Sequence, residues 1–129
     1  MMPFTGMLDP EVMDPPDRPF SYFANPDDLL GAWGAPVASE VTPEGYVYTG
    51  FGELMFFTGN PPEPVHARIR TLHRGYLPVV EYDITRHGVV FSWQLFAADL
   101  GGSLKGLPVN FARIAIRNDF PDPRAAFLS

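Results

Sequence analysis

Alternation of apolar and polar positions is clearest in the second half of the chain. Between Val79 and Thr85, Val80, Tyr82 and Ile84 fall on one side of an extended backbone, and Val79, Glu81, Asp83 and Thr85 on the other, wetter side. Between Val89 and Ala98, Val89, Phe91, Trp93, Leu95 and Ala97 form an apolar side opposite Ser92 and Gln94. Arg86-His87-Gly88 joins the two runs, and Gly88 is free to take a left-handed conformation, so the pair predicts a β-hairpin. Val109–Arg117 alternates as well, with Ala112, Ile114 and Ile116 toward a core and Arg113 and Arg117 outward, until Pro121 and Pro123 stop it. Ala67–His73 alternates less regularly and predicts a half-exposed strand.

Upstream the pattern is denser. Gly45–Pro64 holds two short strand-like runs, Tyr46–Thr49 and Glu53–Thr58, after a Thr42-Pro43-Glu44-Gly45 turn and before a stiff Asn60-Pro61-Pro62-Glu63-Pro64 turn. Glu53–Thr58 carries Met55 and Phe57 on one side and Leu54 and Phe56 on the other, which predicts a strand buried on both faces. Asn25-Pro26-Asp27-Asp28-Leu29-Leu30-Gly31 has a capping residue, a first-position proline, two acids for the helix dipole and a terminating glycine, so one or two helical turns are expected there. Pro19–Phe23 predicts an edge strand, because Pro19 cannot donate to a ladder.

Together these elements predict an all-β, mostly antiparallel fold, either a β-sandwich or a strongly curved sheet. Residues 1–18 read as an irregular arm, 19–118 as the β-sandwich region, and 119–129 as a linker or the start of a further segment. The expected core is Leu54, Phe56, Tyr82, Ile84, Phe91, Trp93, Leu95, Ile114 and Ile116.

Composition narrows the function. The chain has 129 residues, enough for one domain, and its 15 prolines and 12 glycines require short elements and frequent turns. It has no cysteine, which removes disulfides, thiolate metal sites and cysteine nucleophiles and fits a reducing compartment. No apolar run approaches the roughly 20 residues that span a bilayer. Met1–Pro19 lacks the basic start and apolar middle of a signal peptide, so a cytoplasmic location is expected. The net charge of −6 disfavours nucleic acid as a partner. Residues 1–64 carry ten acids and one base, whereas residues 65–129 carry eight bases and five acids. The asymmetry reads as an acidic, solvated lead-in, the alternative being that the two halves face each other.

Reactive constellations are sparse. His66 and His73 flank one strand and point to opposite sides, and His87 sits in a turn, so no metal site is expected, and no cofactor. There is no G-x-S-x-G elbow, no P-loop and no dinucleotide fingerprint. Glu40, Glu44 and Glu53 are the carboxylates nearest the central stretch, and Glu40 or Glu53 is the candidate acid or base if the chain hydrolyses a glycosidic bond. Trp33, Tyr46, Tyr48, Phe51, Tyr76 and Trp93 carry flat rings of the kind that meet sugars, although Trp93, mid-strand on an apolar side, is expected in the core. The candidate substrate-binding residues are Trp33, Tyr48 and Glu53.

Three strings carry a family resemblance: Arg18–Phe23, Glu40–Gly50 and Gly52–Pro64, with Gly75-Tyr76-Leu77-Pro78 and Val109-Asn110-Phe111 following. Over about residues 18–118 the chain resembles the N-terminal β-sandwich region of large bacterial glycoside hydrolase-like proteins that carry a six-hairpin helical barrel downstream. The resemblance implies an incomplete part of a larger sandwich, an accessory region without catalytic residues of its own. Its partner would be the helical barrel of the same protein, with carbohydrate as a further partner, and uncovered strand edges would favour self-association. Two other readings stay open: a free-standing carbohydrate-binding module, and a small β enzyme using Glu40 or Glu53.

Overall fold

A computed structural model describes residues 28–50, 52–67 and 70–129. The expected arm at 1–18, the edge strand at Pro19–Phe23, Phe51 and Ile69 lie outside the described residues.

All strand pairing in the described chain is antiparallel, in two four-stranded sheets and one two-stranded ribbon, with one 3-10 turn at Gly102–Leu104. The first sheet runs β1 (Asp28–Leu30), β2 (Ser39–Val41), β3 (Val47–Tyr48), β4 (Glu53–Leu54) in spatial order. The ribbon pairs β5 (Phe57–Thr58) with β6 (Glu63–Pro64). The second sheet has the order β10-β9-β8-β7, built from β7 (Thr71–His73), β8 (Leu77–Arg86), β9 (Val89–Asp99) and β10 (Pro108–Asn118). The small sheet lies face to face with the large one, with β1 against β8 and β9.

The hairpin expected from alternation forms as β8 and β9. Arg86 pairs with Val89 across a two-residue turn in which His87 (φ 49°) and Gly88 (φ 79°) both take left-handed backbone, the turn whose twist matches that of the strands. Val80, Tyr82, Val89, Phe91, Trp93 and Leu95 are buried, and Leu30, Val41, Val47, Phe56 and Val65 close over them. Trp93 is the centre of this core. Tyr82 stacks on it with ring centroids 5.2 Å apart, and Phe56 and Phe91 tilt against it at 5.9 and 6.0 Å.

Three sequence expectations are corrected. Asp28–Leu30 is strand, not helix: Asp28, Leu29 and Leu30 pair with Val41, Glu40 and Ser39. The capping signals are local, and one or two isolated turns are costly to nucleate; the strand instead buries Leu30 and brings Asp28 to Arg70. Glu53–Thr58 is not one strand buried on both faces. It breaks at Met55, so that β4 completes the small sheet and β5 enters the ribbon, and Leu54 and Met55 are exposed while Phe56 and Thr58 are buried. Leu54 (54% exposed) and Ile116 (49% exposed) therefore drop out of the expected core, and both lie on strands at the edge of their sheets. Ile84 and Ile114 are only partly buried and pack against the rest.

Polar ties fix how the sheets meet. Gly45 sits at φ 97°, and a Cβ there would lie 3.0 Å from both Ala67 Cβ and Tyr82 Cζ, so neither its conformation nor its space admits a side chain. The Tyr82 hydroxyl donates to the Gly45 carbonyl at 2.7 Å, and Tyr46 donates to the Val65 carbonyl at 3.0 Å. Burial pushes both phenols above their ordinary pKa, and Glu44 and Glu53 add to the effect at Tyr46. Tyr82→Phe should keep the stacking on Trp93 but leave the Gly45 carbonyl without its donor, a loss of about 1–2 kcal/mol in a urea titration. An unchanged midpoint would show that the hydroxyl contributes nothing.

Residues 119–129 return to the body of the protein. Phe57 exchanges both backbone bonds with Ser129, at 2.7 and 3.0 Å, and Gly59 N–H donates to the Phe127 carbonyl at 3.1 Å.

Candidate functional site

Two surfaces carry chemistry. The first is the outer side of the small sheet. Strand alternation sends Leu30, Ser39, Val41 and Val47 inward, so Leu29, Glu40, Tyr48 and Glu53 face out. The register places Leu29 opposite Glu40, Glu40 opposite Tyr48, and Tyr48 opposite Glu53. Tyr48 thus stands between the two carboxylates that sequence reading singled out, with strands ~5 Å apart on either side of it. Its hydroxyl donates to the Gly50 carbonyl at 3.0 Å, which fixes the ring. Trp33 is not gathered into this row. It occupies the turn between β1 and β2, closed by Ala35 N–H on the Ala32 carbonyl, and its side chain is fully exposed. The row is open to solvent.

The second surface is the outer side of the large sheet, and sequence reading missed it as a site. Thr71, Glu81, Gln94 and Arg113 are successive partners across all four strands. His73, two residues after Thr71, lies on the same side by strand alternation, and the pairing with β8 shifts register between Leu72 and His73. Its Nδ1 lies 2.7 Å from Glu81 Oε1, the Gln94 amide donates to that same oxygen at 2.6 Å, and Arg113 Nη1 donates to Gln94 Oε1 at 3.0 Å. The result is a continuous chain, His73–Glu81–Gln94–Arg113, running perpendicular to the strands. The Gln94 amide first, and then His73, hold the Glu81 carboxyl below the usual carboxylate range.

The next row is Asp83, Ser92 and Ala115. With Glu81, Gln94 and Arg113 of the ladder, and with Thr71 and Arg70, these residues line a groove of ≈ 600 Å³. On the far side of the ladder Phe96 and Phe111 are cross-strand partners, stacked with centroids 5.1 Å apart and planes 11° from parallel. The alternation of Glu81 with Tyr82 and of Gln94 with Leu95 marks these positions as outward-facing. That they form one ladder follows only from the pairing register, for which the sequence carries no separate signal.

Arg70, at the groove's end, is committed to structure. It pairs with Asp28, and its Nη1 reaches the carbonyls of Thr42, Pro43 and Ala67 at 2.9, 3.1 and 3.3 Å. The loop after β9 is held separately: Asp99 accepts from Gly101 and Gly106 N–H at 2.8 and 3.0 Å, and these bonds hold its carboxyl below the usual range.

Among the described residues no three His, Asp or Glu side chains converge as metal ligands. Among them also, no helix is long and apolar enough to cross a membrane. No family model, curated protein or solved structure matches the chain.

Proposed function

We propose that this chain is a non-catalytic β-sandwich region of a larger glycoside hydrolase-like protein and serves as the support against which a helical barrel docks. The observation that carries this reading is β10. Ala112, Ile114 and Ile116 continue the apolar side of Leu95, Trp93 and Phe91, to which they are paired, yet Ala112 and Ile116 are exposed. No described strand lies along the outer edge of β10. At the Asn118 end of this strand, Phe120 and Phe127 add further exposed apolar surface. An apolar stripe of this kind marks a surface made to be covered. The resemblance over residues 18–118 supplies the nature of the cover.

Neither outer surface offers a closed cleft that would shield a reacting bond from water. The 129-residue protein is accordingly expected to show no turnover on a panel of aryl glycosides. Turnover abolished by Glu40→Gln or Glu53→Gln would overturn the reading in favour of a small β enzyme. The reading frame beyond codon 129 in the source genome is the second test: it should continue into a helix-rich segment, and a stop codon at that point would remove the proposed partner.

A further inference from the structure

We propose that the groove on the outer side of the large sheet is a binding site for a neutral, hydroxyl-rich ligand, a short stretch of uncharged glycan. The fold leaves a particular set of hydrogen-bonding valences open on this face. Arg113 spends one N–H on Gln94, and its remaining four are without partners among the described residues. The side chains of Asp83 and Ser92 make no hydrogen bond among the described residues, and Glu81 keeps its second oxygen free. The groove thus presents a donor fork beside two carboxylates and a hydroxyl.

A ligand of either sign is poorly suited to it. An anion reaching Arg113 meets Glu81 and Asp83; a cation reaching those carboxylates meets Arg113. A hydroxyl donates and accepts at once, so one ring can give hydrogen bonds to Asp83 and Glu81 and take them from Arg113. The spacing agrees, because outward side chains lie ~5 Å apart between strands and ~7 Å apart along a strand, which is within the span of one or two sugar rings. The groove's ≈ 600 Å³ falls in the usual range for small-ligand sites. Ala115 leaves room over the Asp83–Ser92 row, and the Phe96–Phe111 stack on the other side of the ladder offers apolar surface to the C–H side of a neighbouring ring. The hydrogen-bonded ladder holds Glu81 and Gln94 in place before any ligand arrives, which lowers the ordering cost of binding. The choice of glycan among neutral hydroxylated ligands rests on the function proposed above.

The test uses the 129-residue protein, nitrogen-15 labelled, titrated with cello-, xylo-, manno- and malto-hexaose and with an oligogalacturonate as the acidic comparison. At least one neutral hexaose should shift the amides of Glu81, Gln94 and Arg113 at millimolar concentration. Arg113→Ala and Asp83→Ala should each weaken that binding about tenfold, the loss of one good hydrogen bond. Both residues are exposed, so their melting temperatures should match that of the parent, and a matched temperature makes the comparison valid. No shift with any neutral hexaose, or preferential binding of oligogalacturonate, would overturn the proposal. Loss of binding in Tyr48→Ala with retention in Arg113→Ala would also overturn it, by placing the ligand on the small sheet. None of these outcomes touches the support role, which the aryl glycoside assay and the reading frame beyond codon 129 test separately.

Discussion

Replacing Trp93 with alanine is expected to cost about 3–5 kcal/mol of folding stability, the largest effect of any single side chain here. Trp93 is 1% exposed and packs on the rings of Tyr82 and Phe91 from its own sheet and of Phe56 from the segment that leaves the small sheet after β4. A cavity at that point cannot be filled from one side without pulling the other layer out of register, so little of the lost packing is recovered. Trp93→Phe separates packing from polarity. The indole N–H is buried without a hydrogen-bond partner among the described residues, so removing it forfeits no bond. The phenylalanine variant should lose roughly 1–2 kcal/mol, for volume alone. Urea titration of the three proteins measures both differences. A loss under about 1 kcal/mol for Trp93→Ala would mean that the core is not centred on this residue.

Arg70→Met is expected to cost about 2–4 kcal/mol, because hydrogen bonds from a charged donor are worth more than neutral ones and three backbone carbonyls lose theirs together. The side chain of Arg70 is 10% exposed, so water has limited access to the carbonyls of Thr42, Pro43 and Ala67 once the guanidinium is gone. Asp28 is 43% exposed on its side chain, so the ion pair itself contributes less than the carbonyl clamp. Arg70→Lys tests that division. A lysine keeps the charge but carries it on one nitrogen, which cannot sit at both the Nε position facing Asp28 and the Nη1 position facing the carbonyls, so it should recover only a minor part of the loss. Full recovery in Arg70→Lys would make the ion pair, not the clamp, the source of the stabilisation.

The long hairpin and β10 were legible in the sequence because three signals agree there: alternation, a two-residue turn with Gly88, and terminating prolines. Leu54 and Ile116 show the limit of alternation. It assigns each to the correct side of its strand but says nothing of lateral position, and both strands lie at the sheet edge, where the opposite layer ends. Asp28–Leu30 shows a different limit. Its capping signals are valid within seven residues, yet the segment pairs with Ser39–Val41 and binds Arg70, which are contacts from outside that window. The candidate surfaces divide in the same way. Glu40, Tyr48 and Glu53 were recognisable by residue type, and the register then brought them into one row. Trp33, chosen for its ring alone, stands apart at a turn. The His73–Glu81–Gln94–Arg113 ladder was invisible because its members are ordinary outward residues until four strands are aligned.

The ties between the layers all run forward along the chain, and this sets the order in which a nascent polypeptide can complete them. Asp28 waits for Arg70, Gly45 for Tyr82, Ser39 for the Asn110 amide that donates to it, and Phe57 for Ser129. On a ribosome the small sheet emerges first, with Leu30, Val41 and Val47 facing outward and nothing to receive them. At ≈ 5–20 residues per second, the wait between the Gly45 turn and the closing β9 strand lasts seconds. During that interval the apolar side of the small sheet has nothing to pack against, and β9 with Trp93 supplies the centre of the core that covers it.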